Sequence, residues 1–105
     1  MISLLIAMAA AAPTAATVST DRKAFVQCLR DASNKAKSDK IALDGFDAFA
    51  MVQCQAQANT LKDALIGVDV SRGVARKTAA SDAQLQVEDH LASAKDNYQL
   101  RMESP

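Results

Sequence analysis

Glycine, proline and aromatic residues are scarce in this chain, and those present are dispersed. The 105 residues include three glycines, two prolines, three phenylalanines, one tyrosine and no tryptophan. Because the glycines are isolated at positions 45, 67 and 73, the chain has no glycine-rich loop that could bind a phosphate group. No segment alternates apolar and polar residues over enough positions to indicate a β-strand. The sequence therefore predicts an all-α protein.

The residue patterns of common catalytic sites are also missing. The two cysteines are too far apart for a Cys-x-x-Cys redox motif, no Cys-x-x-Cys-His haem motif occurs, and no serine lies in a Gly-x-Ser-x-Gly context. The acidic pairs Glu88-Asp89 and Asp44/Asp47 are better explained as a solvated helix face and a helix cap than as acid–base catalysts. We therefore predict that the protein is not an enzyme and carries no cofactor.

Net charge gives no indication of a polyanionic partner. Twelve Lys and Arg residues balance twelve Asp and Glu residues, so no basic excess favours nucleic acid or an anionic membrane. Arg72, Arg76 and Lys77 form a local basic cluster with no acidic residue nearby. Since no aromatic side chain is interleaved with them, we interpret the cluster as solvated surface and predict no nucleic-acid binding.

The N-terminal segment resembles a secretory signal in the order of its residues. Residues 1–16 contain no charged side chain, and an apolar run through Met8 is followed by alanines. This order predicts a signal peptide over residues 1–16, cleaved after Ala16, and a single helical domain over 17–105. A buried N-terminal helix is disfavoured by Pro13, and a membrane anchor is disfavoured because about 20 apolar residues are needed to cross a bilayer. We expect an exported protein, periplasmic or extracellular, with no transmembrane segment in its mature chain.

The two cysteines, Cys28 and Cys54, lie on two segments that both read as amphipathic helices. Midway between them is Ile41, inside a stretch suited to a turn. An antiparallel hairpin closing there places both thiols at the same height, and paired cysteines are typical of exported proteins. We predict a disulfide between helices 1 and 2.

Three helices are predicted from apolar spacing and from capping residues. Helix 1 is predicted to start near Ser19, Thr20 and Asp21 and to end near residues 37–40. Helix 2 is predicted to start with Asp44 as its N-cap and to end between Gly67 and Gly73. Helix 3 is predicted to start at the Ser81 capping box. An alternative keeps residues 74–80 helical, which gives one long arm. The apolar residues of each helix fall on one stripe: Phe25, Cys28, Leu29, Ala32 and Ala36; then Met51, Cys54, Ala58, Leu61, Leu65 and Val68; then Val87, Leu91, Ala94 and Tyr98. Together they predict a small three-helix bundle, or a helical hairpin plus a third helix.

The start of helix 2 carries more large apolar side chains than one helix contact uses. Phe46, Phe49, Met51 and Val52 are therefore a candidate interaction patch. With the other features, they favour a non-enzymatic interaction or structural protein of the cell envelope, with another envelope protein or a second copy as its partner.

The alternative is a binding protein for a small ligand. The ligand is then an apolar molecule between helices, or a soft metal such as copper or zinc held by His90 with Met51, Met102, Cys28 and Cys54. We interpret His90 as a boundary histidine and predict no metal site.

Overall fold

The computed structural model describes residues 13–103 and is built of three α-helices. These are α1 (Ala15–Ser38), α2 (Phe46–Ser71) and α3 (Arg76–Glu103), with a short 3₁₀ turn, Leu43–Gly45, between α1 and α2. The described residues contain no β-strand. The predicted all-α fold of three packed helices is confirmed.

Helix α2 lies at the centre of the arrangement, since α1 and α3 both pack along it and contact each other less. Hydrogen bonds define the relative directions of the helices. Arg22 in α1 donates to Gln86 in α3, and Arg101 farther along α3 donates to Asn34 farther along α1, so α1 and α3 run parallel. Helix α2 runs antiparallel to both, as short connections require.

The core consists of residues from the predicted apolar stripes together with the aromatic rings of Phe46 and Tyr98. On α1, Phe25, Leu29, Ala32 and Ala36 are buried, as are all the predicted stripe residues of α2 except Met51, which is partly buried. Phe46 and Tyr98 are fully buried and stacked, with ring centroids 4.6 Å apart. The Tyr98 hydroxyl donates a 2.6 Å hydrogen bond to the Ile41 carbonyl, which fixes α3 to the α1–α2 connection.

Two helix ends have the hydrogen-bond pattern of a Schellman motif. At the end of α1, the Ile41 amide donates to the Ala36 carbonyl, and Lys40 adopts a φ of 56°. At the end of α2, the Val74 amide donates to the Asp69 carbonyl, and Gly73 adopts a φ of 92°. Both residues are in the left-handed region that this motif requires, which glycine adopts without a steric cost. The predicted ends of helices 1 and 2 are confirmed.

The capping residues predicted for the three helix starts are wrong, and helices 1 and 3 begin several residues earlier than predicted, whereas helix 2 begins within one residue of its predicted start. Helix α1 begins at Ala15, where the Thr14 side chain accepts from the Thr17 amide, and not at Ser19 or Thr20. Alanines favour helix strongly and Val18 is buried, so the helix extends toward the N-terminus. The predicted cleavage point after Ala16 therefore lies in the first turn of α1, and cleavage itself stays a prediction. The rest of the predicted signal, residues 1–12, lies outside the described residues.

The capping residues predicted for α2 and α3 also do not mark where these helices start. Asp44 lies in the 3₁₀ turn, and Gly45 occupies the N-cap position of α2 with no side-chain cap, because burial of Phe46 fixes where the helix begins. Ser81 lies inside α3, which starts at Arg76 and buries Ala79 in its first turns. Residues 76–80 are therefore helical, but they belong to α3; the turn at Gly73 rules out one long arm.

Candidate partner-binding groove

A groove lies between α1 and α3. Because α1 and α3 pack mainly on α2, the side of the bundle between them stays open, with a volume of about 390 Å³. Leu29 of α1 and Ala94 of α3 line its apolar interior, and Leu100 of α3 lies at its edge with 62% of its surface exposed. A concave surface that combines apolar side chains with a few polar groups is the usual form of a ligand site.

The groove is basic as well as apolar. Arg30 and Arg101 both line it, and no Asp or Glu is among the lining residues. Arg101 donates a 2.7 Å hydrogen bond to the side-chain oxygen of Asn34. The Arg30 side chain is exposed, and no hydrogen bond or ion pair joins it to any residue within 13–103. The groove therefore presents permanent positive charge, from its two arginines, next to apolar surface.

His90 forms one end of this groove and is held against the core. Its ring meets Phe25 edge to face, with centroids 6.0 Å apart. Burial lowers the pKa of His90 below 6.5, the nearby Arg22 guanidinium lowers it further, and Asp89 acts in the opposite direction. The imidazole is therefore neutral at pH 7, so the positive charge of the groove comes from its arginines.

The predicted disulfide between helices 1 and 2 is present. Cys28 in α1 and Cys54 in α2 are bonded, with Cα atoms 5.8 Å apart. Cys54 is fully buried and adopts non-helical angles, φ −118° and ψ 16°, so α2 is kinked at the residue that carries the bond. The disulfide ties the α1 wall of the groove to the central helix.

The disulfide removes both cysteines from the soft-metal alternative. Both cysteine sulfurs are used in the disulfide, so neither is a thiolate donor. No group of three His, Cys, Asp or Glu side chains within residues 13–103 is arranged to hold a metal ion. Met51 packs partly buried against the core, and Met102 is 48% exposed near the end of α3.

The four residues of the candidate interaction patch differ in exposure. Phe46 is fully buried in the stack with Tyr98, and Phe49 and Met51 are partly buried against the core. Val52 is 77% exposed. Phe46, Phe49 and Met51 thus pack within or against the core of the bundle, and Phe46, stacked on Tyr98 of α3, is unavailable to a partner.

The groove could not be found from the sequence because its walls come from helices that are not consecutive in the chain. The sequence signal for it is weak: Val26 and Leu100 line the groove and lie off the predicted stripes of helices 1 and 3, but so does Leu85, which does not line it. Within the described part of the chain, no helix combines the length and apolar character needed to cross a membrane. Comparison with known proteins found no matching protein-family model, no similar curated protein and no similar solved structure.

Proposed function

We propose that the protein is an exported, non-enzymatic helical protein of the cell envelope that binds another protein through the α1–α3 groove. The observation that carries this proposal is the open groove, which combines apolar surface with two arginines and no carboxylate. The partner element that fits is an amphipathic helix with acidic residues beside its apolar stripe.

Export is supported by the leader and by the disulfide together. An uncharged apolar run followed by alanines is the residue order of a signal peptide. Disulfides persist in oxidising compartments and are rare in a reducing cytosol. The Cys28–Cys54 bond therefore favours a location outside the cytosol, in the periplasm or beyond.

The dimensions and charge of the groove favour a helix as its occupant. Its α3 wall extends from His90 to Arg101, which is about three helical turns. A partner helix of that length places its apolar residues over Leu29 and Ala94 at the i, i+3, i+4 spacing by which helices bind in grooves. Acidic residues on its flanks then approach Arg30 and Arg101, and such complementarity sets register and association rate.

Photo-crosslinking in the producing cells tests the proposal. A photoreactive amino acid replaces Leu100, which lines the groove, or Leu85, which is 55% exposed on the same helix and does not line it. We expect a crosslinked product at position 100 and none at position 85. Peptide mass spectrometry is expected to place the crosslink in an acidic amphipathic helix of the partner.

Charge reversal at the groove provides a second readout. Arg30→Glu with Arg101→Glu should abolish the crosslink at position 100, because both guanidinium groups would face acidic residues of the partner as like charges. Equal crosslinking at positions 85 and 100, or none at position 100, would contradict the proposal. A product between two copies of this chain would replace the envelope partner by self-association.

A small amphiphilic anion is the second candidate occupant. A volume of about 390 Å³ lies within the range of small-molecule sites, which is roughly 300–1,000 Å³. Native mass spectrometry of protein purified from the producing cells would detect a retained ligand of this kind. Metal analysis of the same sample tests separately whether the protein binds a soft metal, and His90→Ala is the matched variant for that test.

A further inference from the structure

A glycine inside α2 occupies a position where the backbone does not require one. Gly67 lies within the helix, which ends at Ser71, and its backbone angles are helical, in contrast to the positive φ of Gly73. Any residue adopts helical angles, and glycine in a helix interior makes the helix less stable than alanine would. The reason for glycine at position 67 must therefore lie in what packs against it.

Pro13 fills the space that a side chain at position 67 would take. A Cβ atom built on Gly67 would lie 2.7 Å from Cγ and 3.0 Å from Cδ of Pro13, closer than carbon atoms pack, and the three nearest atoms all belong to this proline. The pyrrolidine ring cannot rotate away, because it is closed onto its own backbone nitrogen. The missing side chain of Gly67 is therefore explained by the presence of Pro13.

The residue after Pro13 also belongs to the folded domain. The Thr14 side chain accepts a hydrogen bond from the Thr17 amide at 3.3 Å, and its carbonyl accepts from the amide of Val18, which is buried, at 3.0 Å. A chain that began at Thr17 would lose both acceptors and would place its charged α-amino group at the positive end of the α1 dipole. It would also leave Val18 next to the chain end, where helices fray. Residues 13–16 thus stabilise the first turn of α1.

We propose that the mature protein retains Pro13 and that its signal peptide is cleaved after Ala11 and not after Ala16, an inference that rests on the export proposed above. Ala9 and Ala11 supply the small residues of an A-x-A cleavage site. A cut after Ala12 would place proline, with its fixed φ and no amide hydrogen, directly after the cleaved bond. Water hydrolyses the peptide bond after Ala11, which leaves a carboxylate on the leader and an α-amine on the mature chain.

Mass spectrometry of the protein recovered from its producing cells tests this cleavage point. Free amines are blocked first, so that the native N-terminus is labelled, and trypsin then cuts at arginine. We expect the labelled N-terminal peptide to be 12–22. Peptide 17–22 in its place would overturn the inference and leave export intact. A recovered chain that still carries residues 1–11 would overturn both this inference and cleavage on export.

The sign of the Gly67→Ala effect in the recovered mature protein is a second readout. With Pro13 present, the new Cβ atom collides with its ring, so Tm should fall. In a chain that began at Thr17, the same substitution should raise Tm by about 4–8 °C through helix propensity. Asn59→Ala, at an exposed position of α2, is the matched control and should raise Tm in either case. A rise for Gly67→Ala as large as that for Asn59→Ala would overturn the proposal.

Discussion

Opening the Cys28–Cys54 disulfide should cost the protein much of its stability. The bond joins residues 26 apart in the chain. Closing a loop of that length removes conformational entropy from the unfolded chain, and the loop-entropy relation gives about 3.5 kcal/mol at 25 °C. Small domains have unfolding free energies of about 5–15 kcal/mol in total, so this loss is a large fraction of the whole.

Urea unfolding of the oxidised and the reduced protein measures this contribution directly. Reduction leaves every packed side chain in place, whereas Cys28→Ala with Cys54→Ala also removes a buried sulfur and should cost at least as much. The denaturant slope m should rise on reduction, because the unfolded chain then exposes more surface. Reductant should have no effect on the double alanine variant, which is the control.

A loss below about 1 kcal/mol with an unchanged slope would refute this reasoning. It would mean that the unfolded chain already holds α1 and α2 together, or that the bond does not close the loop in solution.

Three further substitutions test individual contacts. Tyr98→Phe removes the hydroxyl that donates to the Ile41 carbonyl at 2.6 Å and should lower the unfolding free energy by about 1–2 kcal/mol, measured by urea unfolding. Gly67→Ala should destabilise the full chain, because its Cβ would come 2.7 Å from Cγ of Pro13; with Pro13→Gly added, the same change should stabilise by about 1 kcal/mol through helix propensity. His90 should titrate below 6.5 by NMR, and the stability lost on acidification from pH 7.5 to about 5 should be smaller in His90→Gln.

The sign of the pH effect follows from the lowered pKa of His90. Because the folded protein holds the imidazole proton less tightly than the unfolded chain, the full stability is present above pH 6.5. Stability is then lost as the pH falls below 6.5 toward the folded pKa. An NMR midpoint at or above 6.5 would contradict the burial of this ring.

The other two substitutions have their own contradicting outcomes. Stabilisation by Gly67→Ala alone would contradict the Pro13 contact. A Tyr98→Phe variant with an unchanged unfolding free energy would show that water replaces the hydroxyl.

Sequence patterns predicted the helices, their stripes and the disulfide because these depend on periodicity and spacing. The stripe of α1 and the stop at Gly73 are set by local geometry that residue types reveal. At the start of α1, the Thr14 cap is used in place of Ser19. The capping signals at Asp44 and Ser81 failed because a local cap contributes only about 1 kcal/mol. Burying an apolar side chain contributes about 1.5–3 kcal/mol, so packing decides where a helix begins.

The groove and the basic cluster of Arg72, Arg76 and Lys77 differ in how far the sequence reveals them. The cluster is visible in the sequence because its three residues lie close together in the chain, and the structure places all three on the surface. The groove depends on how closely two parallel helices approach, which is a property of side-chain packing on α2. No local pattern encodes such a distance.

Disulfide mapping of the protein recovered from its own cells tests most directly the claim that the helices are tied together outside the cytosol. Free thiols are blocked before lysis, and the chain is cut with trypsin without reductant. We expect peptide 24–30, which contains Cys28, to be linked to peptide 41–62, which contains Cys54. Recovery of both peptides with blocked free thiols would contradict the disulfide and with it the main support for export.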